Sequence, residues 1–167
     1  PWDSKSLEYL GAFEFPAYKV ASADMTNTFL LEDLIKTNAE LIISTGMSNE
    51  SEIDGLVEFL EERNVTYALL HCNSTYPSPF HGLNLNYLHR LRKKIPNRIV
   101  GYSGHERGFS VPIAAVALGA RIIEKHITLD RSMEGNDHKV SLLPDEFGEM
   151  VKEIRNISQS LGSDGPR

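Results

Sequence analysis

The sequence predicts an α/β protein made of parallel βα units, and three observations carry that prediction. Five short apolar segments recur along the 167 residues, rich in β-branched and aliphatic side chains and each ending in small polar groups. Helical patterns fill the stretches between them. The strand segments are continuous apolar runs without polar alternation, as in parallel strands covered by helices on their faces.

In chain order, Pro1 and Trp2 lead directly into a helical pattern, and the first strand segment, AYKVAS, follows at 17–22. Leu30, Leu34 and Ile35 mark a helix before ELIISTG at 40–46. Asn49 and Glu52 have the spacing of a capping box, so a helix starts there. Ile53, Leu56, Val57 and Leu60 recur on one side of it, opposite Glu58, Glu61 and Glu62. YALLHCNS is the third strand, at 67–74. A helix through Leu85, Leu88 and Leu91 then ends in the basic turn Arg92, Lys93 and Lys94 before Pro96, where cations suit a helix C-terminus. RIVGYSGH at 98–105 is the fourth strand; Ser110 and Pro112 open the next helix and Gly119 closes it. ARIIEKHITL at 120–129 is the fifth. The last apolar stripe is Phe147, Met150, Val151, Ile154 and Leu161, between Pro144 and Gly162. One domain is expected over 1–162, with 163–167 as a tail or linker.

A closed barrel needs about eight such units. Five units fit either the C-terminal five-eighths of a barrel or an open doubly wound sheet. In both, ligands bind outside the carboxyl ends of the strands.

Composition narrows the partners. Lys plus Arg number 17 against 23 Asp plus Glu, a formal net charge of -6, so no global field draws the chain to nucleic acid or anionic lipid. No apolar run approaches the roughly 20 residues that span a bilayer, and the first residues lack the basic and apolar regions of a signal peptide. Cys72 is the one cysteine, so no intrachain disulfide forms and a reducing cytoplasm is the expected compartment. The Asn-x-Ser/Thr matches at Asn49, Asn64, Asn73 and Asn156 are short enough to arise by chance.

The strand ends hold the candidate chemistry. Strand parity places Glu124 and His126 on one face and Lys125 on the other; Gly101, Ser103 and His105 share a parity in the same way. Two imidazoles from neighbouring strands can hold one divalent ion and leave positions for substrate oxygens. Each histidine could equally be a satisfied polar group at a strand end. Lys19 sits in a strand otherwise suited to burial, where an ammonium needs an anion or carboxylate; a lysine reaching out at the strand's edge is the plainer alternative. Ser22, Ser44, Ser74 and Ser103 repeat a hydroxyl at successive strand ends, a ring of donors suited to phosphate oxygens. STGMS lacks the pattern of a serine nucleophile elbow. Cys72 reads as a small core residue; His71, His81 and His89 show no convergence. EGNDHK, with Gly135, Asp137 and His138, forms a loop after the last strand that suits either a lid over a hydroxyl-rich ligand or plain solvent.

The motifs KVASADMTN, IISTGM, HCNSTYPSP, NLNYL, IVGYSGHERG, IAAVALGARIIEKHITLD and GNDHKVSLLPDEF together resemble the sialic acid (N-acetylneuraminate) synthase family, in order and across nearly the whole chain. The resemblance implies a partial (β/α)8 TIM barrel, about strands 4 to 8. It implies condensation of phosphoenolpyruvate with an N-acetylated amino sugar, N-acetylmannosamine or a relative, to a nine-carbon acidic sugar with release of phosphate. It also implies His105 and His126 as ligands of a divalent metal, manganese or magnesium, and Glu124 and Asp24 as catalytic groups. Lys19, Ser22, Ser44, Ser74, Tyr76 and Ser103 would bind substrate in the phosphoenolpyruvate pocket, and Asp137 would contact the sugar. Ser74, Asp24, Gly104 and Leu143 depart from common family residues, and the first and third touch the site. Further strands before this region, a small domain after it and a homodimer of the complete protein are also implied. Two other readings stand beside this one: a synthase acting on a phosphorylated sugar, and a non-catalytic half-barrel whose exposed sheet edge serves as an interaction surface.

Overall fold

The computed structural model describes residues 1–163; the expected tail at 163–167 lies, apart from Ser163, outside the described residues. Helix α1 (Ser4–Leu10) precedes five βα units: β1 (Ala17–Val20) with α2 (Thr28–Ile35), β2 (Glu40–Ser44) with α3 (Glu50–Glu62), β3 (Tyr67–Cys72) with α4 (Tyr87–Lys94), β4 (Ile99–Gly104) with α5 (Ser110–Ala117), and β5 (Ile123–Lys125) with α6 (Pro144–Leu161). All neighbouring strands are parallel and their order is β1-β2-β3-β4-β5. A doubly wound sheet reverses its strand order at a switch point. This sheet does not, so the alternative of an open doubly wound fold is set aside and the architecture is a half-barrel.

Local signals place the helices as expected. Asn49 caps α3 in a complete capping box with Glu52: the Asn49 side chain accepts from the Glu52 amide, and the Glu52 carboxylate accepts from the Asn49 amide. Pro144 opens α6 at a position where its missing N–H costs nothing. Gly119, just past α5, has φ +98, a conformation glycine takes without a Cβ clash. The fifth strand is shorter than its apolar run because β5 is an edge, paired among the described residues with β4 alone; beyond it an isolated parallel bridge joins Ile127 to Leu142.

The core lies between the convex face of the sheet and the helices. Tyr18, Val20, Leu41, Ile43, Tyr67, Leu69, Val100 and Tyr102 point outward to meet Leu30, Leu34, Ile53, Leu56, Leu60, Leu88, Leu91 and Ala115. The opposite parity, Lys19, Ser44, Cys72, Ser103 and Glu124, lines the concave side. These lining residues climb the register. Lys19 pairs with Ile42, two residues before Ser44; Ser44 pairs with Leu70, two before Cys72; Cys72, Ser103 and Glu124 are then level. Such stagger is how a parallel sheet tilts into a barrel.

Curvature is confirmed by a side-chain contact between the two edge strands. In a flat sheet β1 and β5 would lie about 19 Å apart, four spacings of about 4.8 Å. Lys19 Nζ of β1 nevertheless stands 3.4 Å from Glu124 Oε2 of β5. Gly101 serves the same curl, since a Cβ there would come within 2.4 Å of both the Ile122 carbonyl oxygen and Leu70 Cδ2. We expect Gly101→Ala to destabilise the fold by about 1–3 kcal/mol in urea unfolding, the usual penalty of an overpacked core. A neutral substitution would contradict the close approach of β3, β4 and Ile122.

Candidate functional site

At the carboxyl ends of the strands the concave face closes around a cavity of about 490 Å³. Its wall includes Lys19 from β1, Ser22 from the 3-10 turn Ser22–Asp24, Ser44 from β2, and Cys72 and Ser74 from β3 and its loop. Tyr76 from the same loop, Ser103 and His105 from β4 and its end, Glu124 and His126 from β5 and its end, and Asp137 from the following loop complete it. The structure thus brings together every expected site residue except Asp24. Asp24 is buried in the turn behind Ser22; its Oδ1 accepts from Asn27 Nδ2 at 3.2 Å, and it is not part of the cavity wall. A larger open groove, about 1230 Å³, lies at the other end of the sheet among Arg92, Lys93, Arg98 and Arg121. Among the described residues that groove is lined by no carboxylate, and the titratable cluster sits in the smaller cavity.

His105 and His126 stand side by side, with ring centroids 5.2 Å apart. Nδ1 of His105 donates to the Asn73 carbonyl at 2.7 Å, which fixes the tautomer and leaves Nε2 as the acceptor. Tyr76 donates its hydroxyl to that Nε2 at 2.8 Å and stacks on the ring at 4.0 Å. Burial pushes the His105 pKa below the ordinary histidine value, against the Asn73 hydrogen bond; His126 is lowered by burial and then by His105 itself. Both rings are therefore held neutral, the form that ligates metals. Among the described residues no three or more His, Cys, Asp or Glu side chains converge as a metal group. Two neutral imidazoles facing one cavity, with the remaining sides open, fit a divalent cation that takes its other ligands from substrate and water.

The other half of the cavity suits an anion. Ser44 is buried, and its hydroxyl oxygen has no partner among the described residues, an unusual state for a buried polar atom. Ser22 accepts from the Gly46 amide at 3.0 Å, and a Cβ on Gly46 would meet Ser74 Oγ and Cys72 Sγ, so the backbone here packs tightly under the hydroxyls. Among the described residues Lys19 is the one lysine or arginine of the cavity wall, two-thirds buried, and the carboxylate it meets is Glu124. Its ammonium also donates to the Val20 carbonyl at 2.8 Å.

Three lining residues carry no sequence signal for this role strong enough to single them out. Cys72 reads as core from its apolar strand, yet its thiol faces the cavity, ringed by the hydroxyls of Ser22, Ser74 and Ser103; burial raises its pKa and keeps it protonated. The signal available is its parity with Ser74. Trp2 and Met47 also line the wall and carry no recognisable pattern. His71, by contrast, is on the helix side: its Nε2 bonds the Leu83 carbonyl at 2.7 Å and its ring lies against Tyr87 and Tyr102. His81 and His89 are exposed.

The family is decided by comparison. The match to the NeuB family runs over residues 1–165. The chain belongs to that family. The N-acetylneuraminate-9-phosphate synthase of Homo sapiens is 37% identical over 161 residues, 96% of this chain and 45% of that protein. The N,N'-diacetyllegionaminic acid synthase of Campylobacter jejuni is 40% identical over 167 residues, 97% of this chain and 49% of that protein. Among solved structures, the N-acetylneuraminic acid synthetase of Leptospira borgpetersenii, in complex with citrate, superposes with a TM-score of 0.94 at 35% identity, covering 100% of this chain and 58% of that one. The chain spans about half the length of the curated relatives it matches. Among the described residues of this NeuB-family chain, no helix is long and apolar enough to cross a membrane.

The electrostatics predict a titration. Unfolded histidines take up protons near the ordinary value of about 6.5, whereas the two rings in the folded chain resist until lower pH. Native stability from this source is complete above that value and is lost as pH falls through it toward the depressed values. Imidazole NMR of the metal-free protein should place both midpoints below the ordinary histidine value of about 6.5. Midpoints at or above it would contradict the burial of the pair.

Proposed function

We propose that this chain forms the metal and phosphoenolpyruvate side of a synthase that condenses phosphoenolpyruvate with an N-acetylated amino sugar, N-acetylmannosamine or a relative. The product is a nine-carbon sugar of the sialic acid type, and inorganic phosphate is released. The observation that carries the reading is one cavity holding two neutral imidazoles on one side and a lysine with a cluster of serine hydroxyls on the other. A family whose named relatives include sialic and legionaminic acid synthases supports it. The compartment is the cytoplasm, and the complete protein is a homodimer.

In this reading His105 and His126 hold a manganese or magnesium ion, which supplies Lewis-acid polarisation of the sugar's aldehyde oxygen when bound. Lys19 and the hydroxyls of Ser22, Ser44, Ser74 and Ser103 grip the phosphate, and Ser44 finds there the partner its buried oxygen lacks. Holding the phosphate fixes C3 of phosphoenolpyruvate against the aldehyde carbon, a positioning effect that can be worth several kcal/mol. The new bond joins those two carbons. Water adds at C2, the bond from C2 to the phosphate oxygen breaks, and phosphate leaves. Glu124 turns Oε2 to Lys19, so its other oxygen is available to accept a hydrogen bond from that water. Asp137, across the cavity, accepts from sugar hydroxyls, and Tyr76 moves from His105 Nε2 to the substrate. Asp24, whose Oδ2 finds no partner among the described residues, acts from behind Ser22 by holding the turn that carries that hydroxyl.

The name of the human relative carries a 9-phosphate, which favours a second reading in which the amino sugar is itself phosphorylated. One assay separates the two. The protein is incubated with manganese, phosphoenolpyruvate and either N-acetylmannosamine or its 6-phosphate, with phosphate release and product mass as readouts. Metal-dependent formation of a nine-carbon acidic sugar is expected, and His126→Ala should abolish it while the circular dichroism of the fold persists. Turnover unchanged in His126→Ala would overturn the role given to that residue.

A further inference from the structure

Behind the two imidazoles lies a polar cluster that the proposed chemistry does not use. On the helix side of the sheet, the Lys125 ammonium and the Glu106 carboxylate meet at 3.0 Å, with no exposure of either side chain. The other carboxylate oxygen accepts from the Tyr102 hydroxyl at 2.7 Å. The Lys125 ammonium also donates to the Glu106 main-chain carbonyl. Burial lowers the Lys125 pKa and raises that of Tyr102.

Such an arrangement is a poor source of net stability, because desolvating two charges costs about as much as their attraction returns, and apolar residues of like volume usually do as well. Its placement is more informative. The β4–β5 ladder ends at the pair Gly104 and Lys125. His105 and His126 come one residue later, where the ladder no longer sets their separation. Glu106 follows His105 in the chain and Lys125 precedes His126. The Lys125 side chain, reaching the main chain of Glu106, therefore continues the tie between the strands past the last ladder pair, just behind both rings. Each histidine is pinned separately on its other side: Ser78 N–H donates to the His105 carbonyl at 3.0 Å, and Leu142 N–H to the His126 carbonyl at 2.9 Å. Of these ties, the Lys125–Glu106 contact is the one that joins the two together.

We infer that Lys125 and Glu106 are positioning residues that set the separation of His105 and His126, so that affinity for the divalent cation depends on their contact. This rests on the reading of the two histidines as metal ligands. Groups that orient metal ligands from behind typically govern affinity by 10- to 100-fold.

The test is manganese binding to the full chain, followed by the loss of the free-ion signal in electron paramagnetic resonance, in the wild type, in Lys125→Met, and in the double variant Glu106→Gln/Lys125→Met. The single variant leaves a carboxylate buried without its cation and is at risk of not folding; the double variant removes both charges while its side-chain amide keeps an acceptor for Tyr102. The expected result is a folded double variant, by circular dichroism, that binds manganese about 10- to 100-fold more weakly than wild type. In the same variant kcat should fall at saturating phosphoenolpyruvate while KM for phosphoenolpyruvate stays, because Lys19 and the serines are untouched. A folded double variant with wild-type manganese affinity would overturn the inference alone. A wild type that binds no manganese would overturn the metal reading, and this inference with it.

Discussion

Everything in the cavity depends on the curl of the sheet, and the contact between Lys19 and Glu124 records that curl most directly. These residues lie on the two edge strands, β1 and β5, and would be well out of reach of each other in a flat sheet. The stagger of register brings them together, and it requires a residue without a side chain at Gly101, where β4 passes closest to Leu70 and Ile122. Once curled, the sheet presents a single parity of five strands to one small volume. Hydroxyls from the turn after β1 and from β2 to β4 then face imidazoles from the ends of β4 and β5, and among the described residues none of the α-helices lends a side chain to the cavity wall.

The electrostatics follow from the same geometry. Closing the concave face removes water from His105 and His126, and this keeps them neutral against the pull of Glu124 on both and of Asp137 on His126. It also keeps Cys72 a thiol in the middle of the serine cluster, polarisable but not nucleophilic. On the convex side the same two strands bury Lys125 and Glu106 against Tyr102. The two faces thus differ behind and before the histidines: the inner one presents two neutral imidazoles, and the outer one holds charges that never meet solvent.

Much of this is legible in the sequence, and the limits have physical causes. The apolar runs and the helix signals, such as the capping box at Asn49 and the proline at Pro144, are local properties, so they place the elements well. Parity puts Glu124 with His126 and Lys125 opposite, since alternation along a strand needs no tertiary information. Whether the sheet curls or stays open is beyond such reasoning, because stagger is a relation between strands that no single segment encodes. Cys72 is misplaced for a related reason: in a strand buried on both faces, residues of either parity are equally apolar. The partnership of Glu106 with Lys125 is invisible because Glu106 lies beyond the strand end, where alternation stops and the loop path decides direction. Asp24 is expected among the catalytic groups through resemblance, while the turn that follows β1 directs its side chain behind the cavity wall.

In the proposed reading His105 and His126 converge on one divalent cation. Crystals of the protein soaked in manganese, measured near the manganese absorption edge, would test it most directly. One anomalous peak is expected within about 2–2.5 Å of a ring nitrogen of each histidine, with Tyr76 displaced from His105. A peak bound elsewhere, or no peak with the Tyr76 hydrogen bond intact, would contradict it.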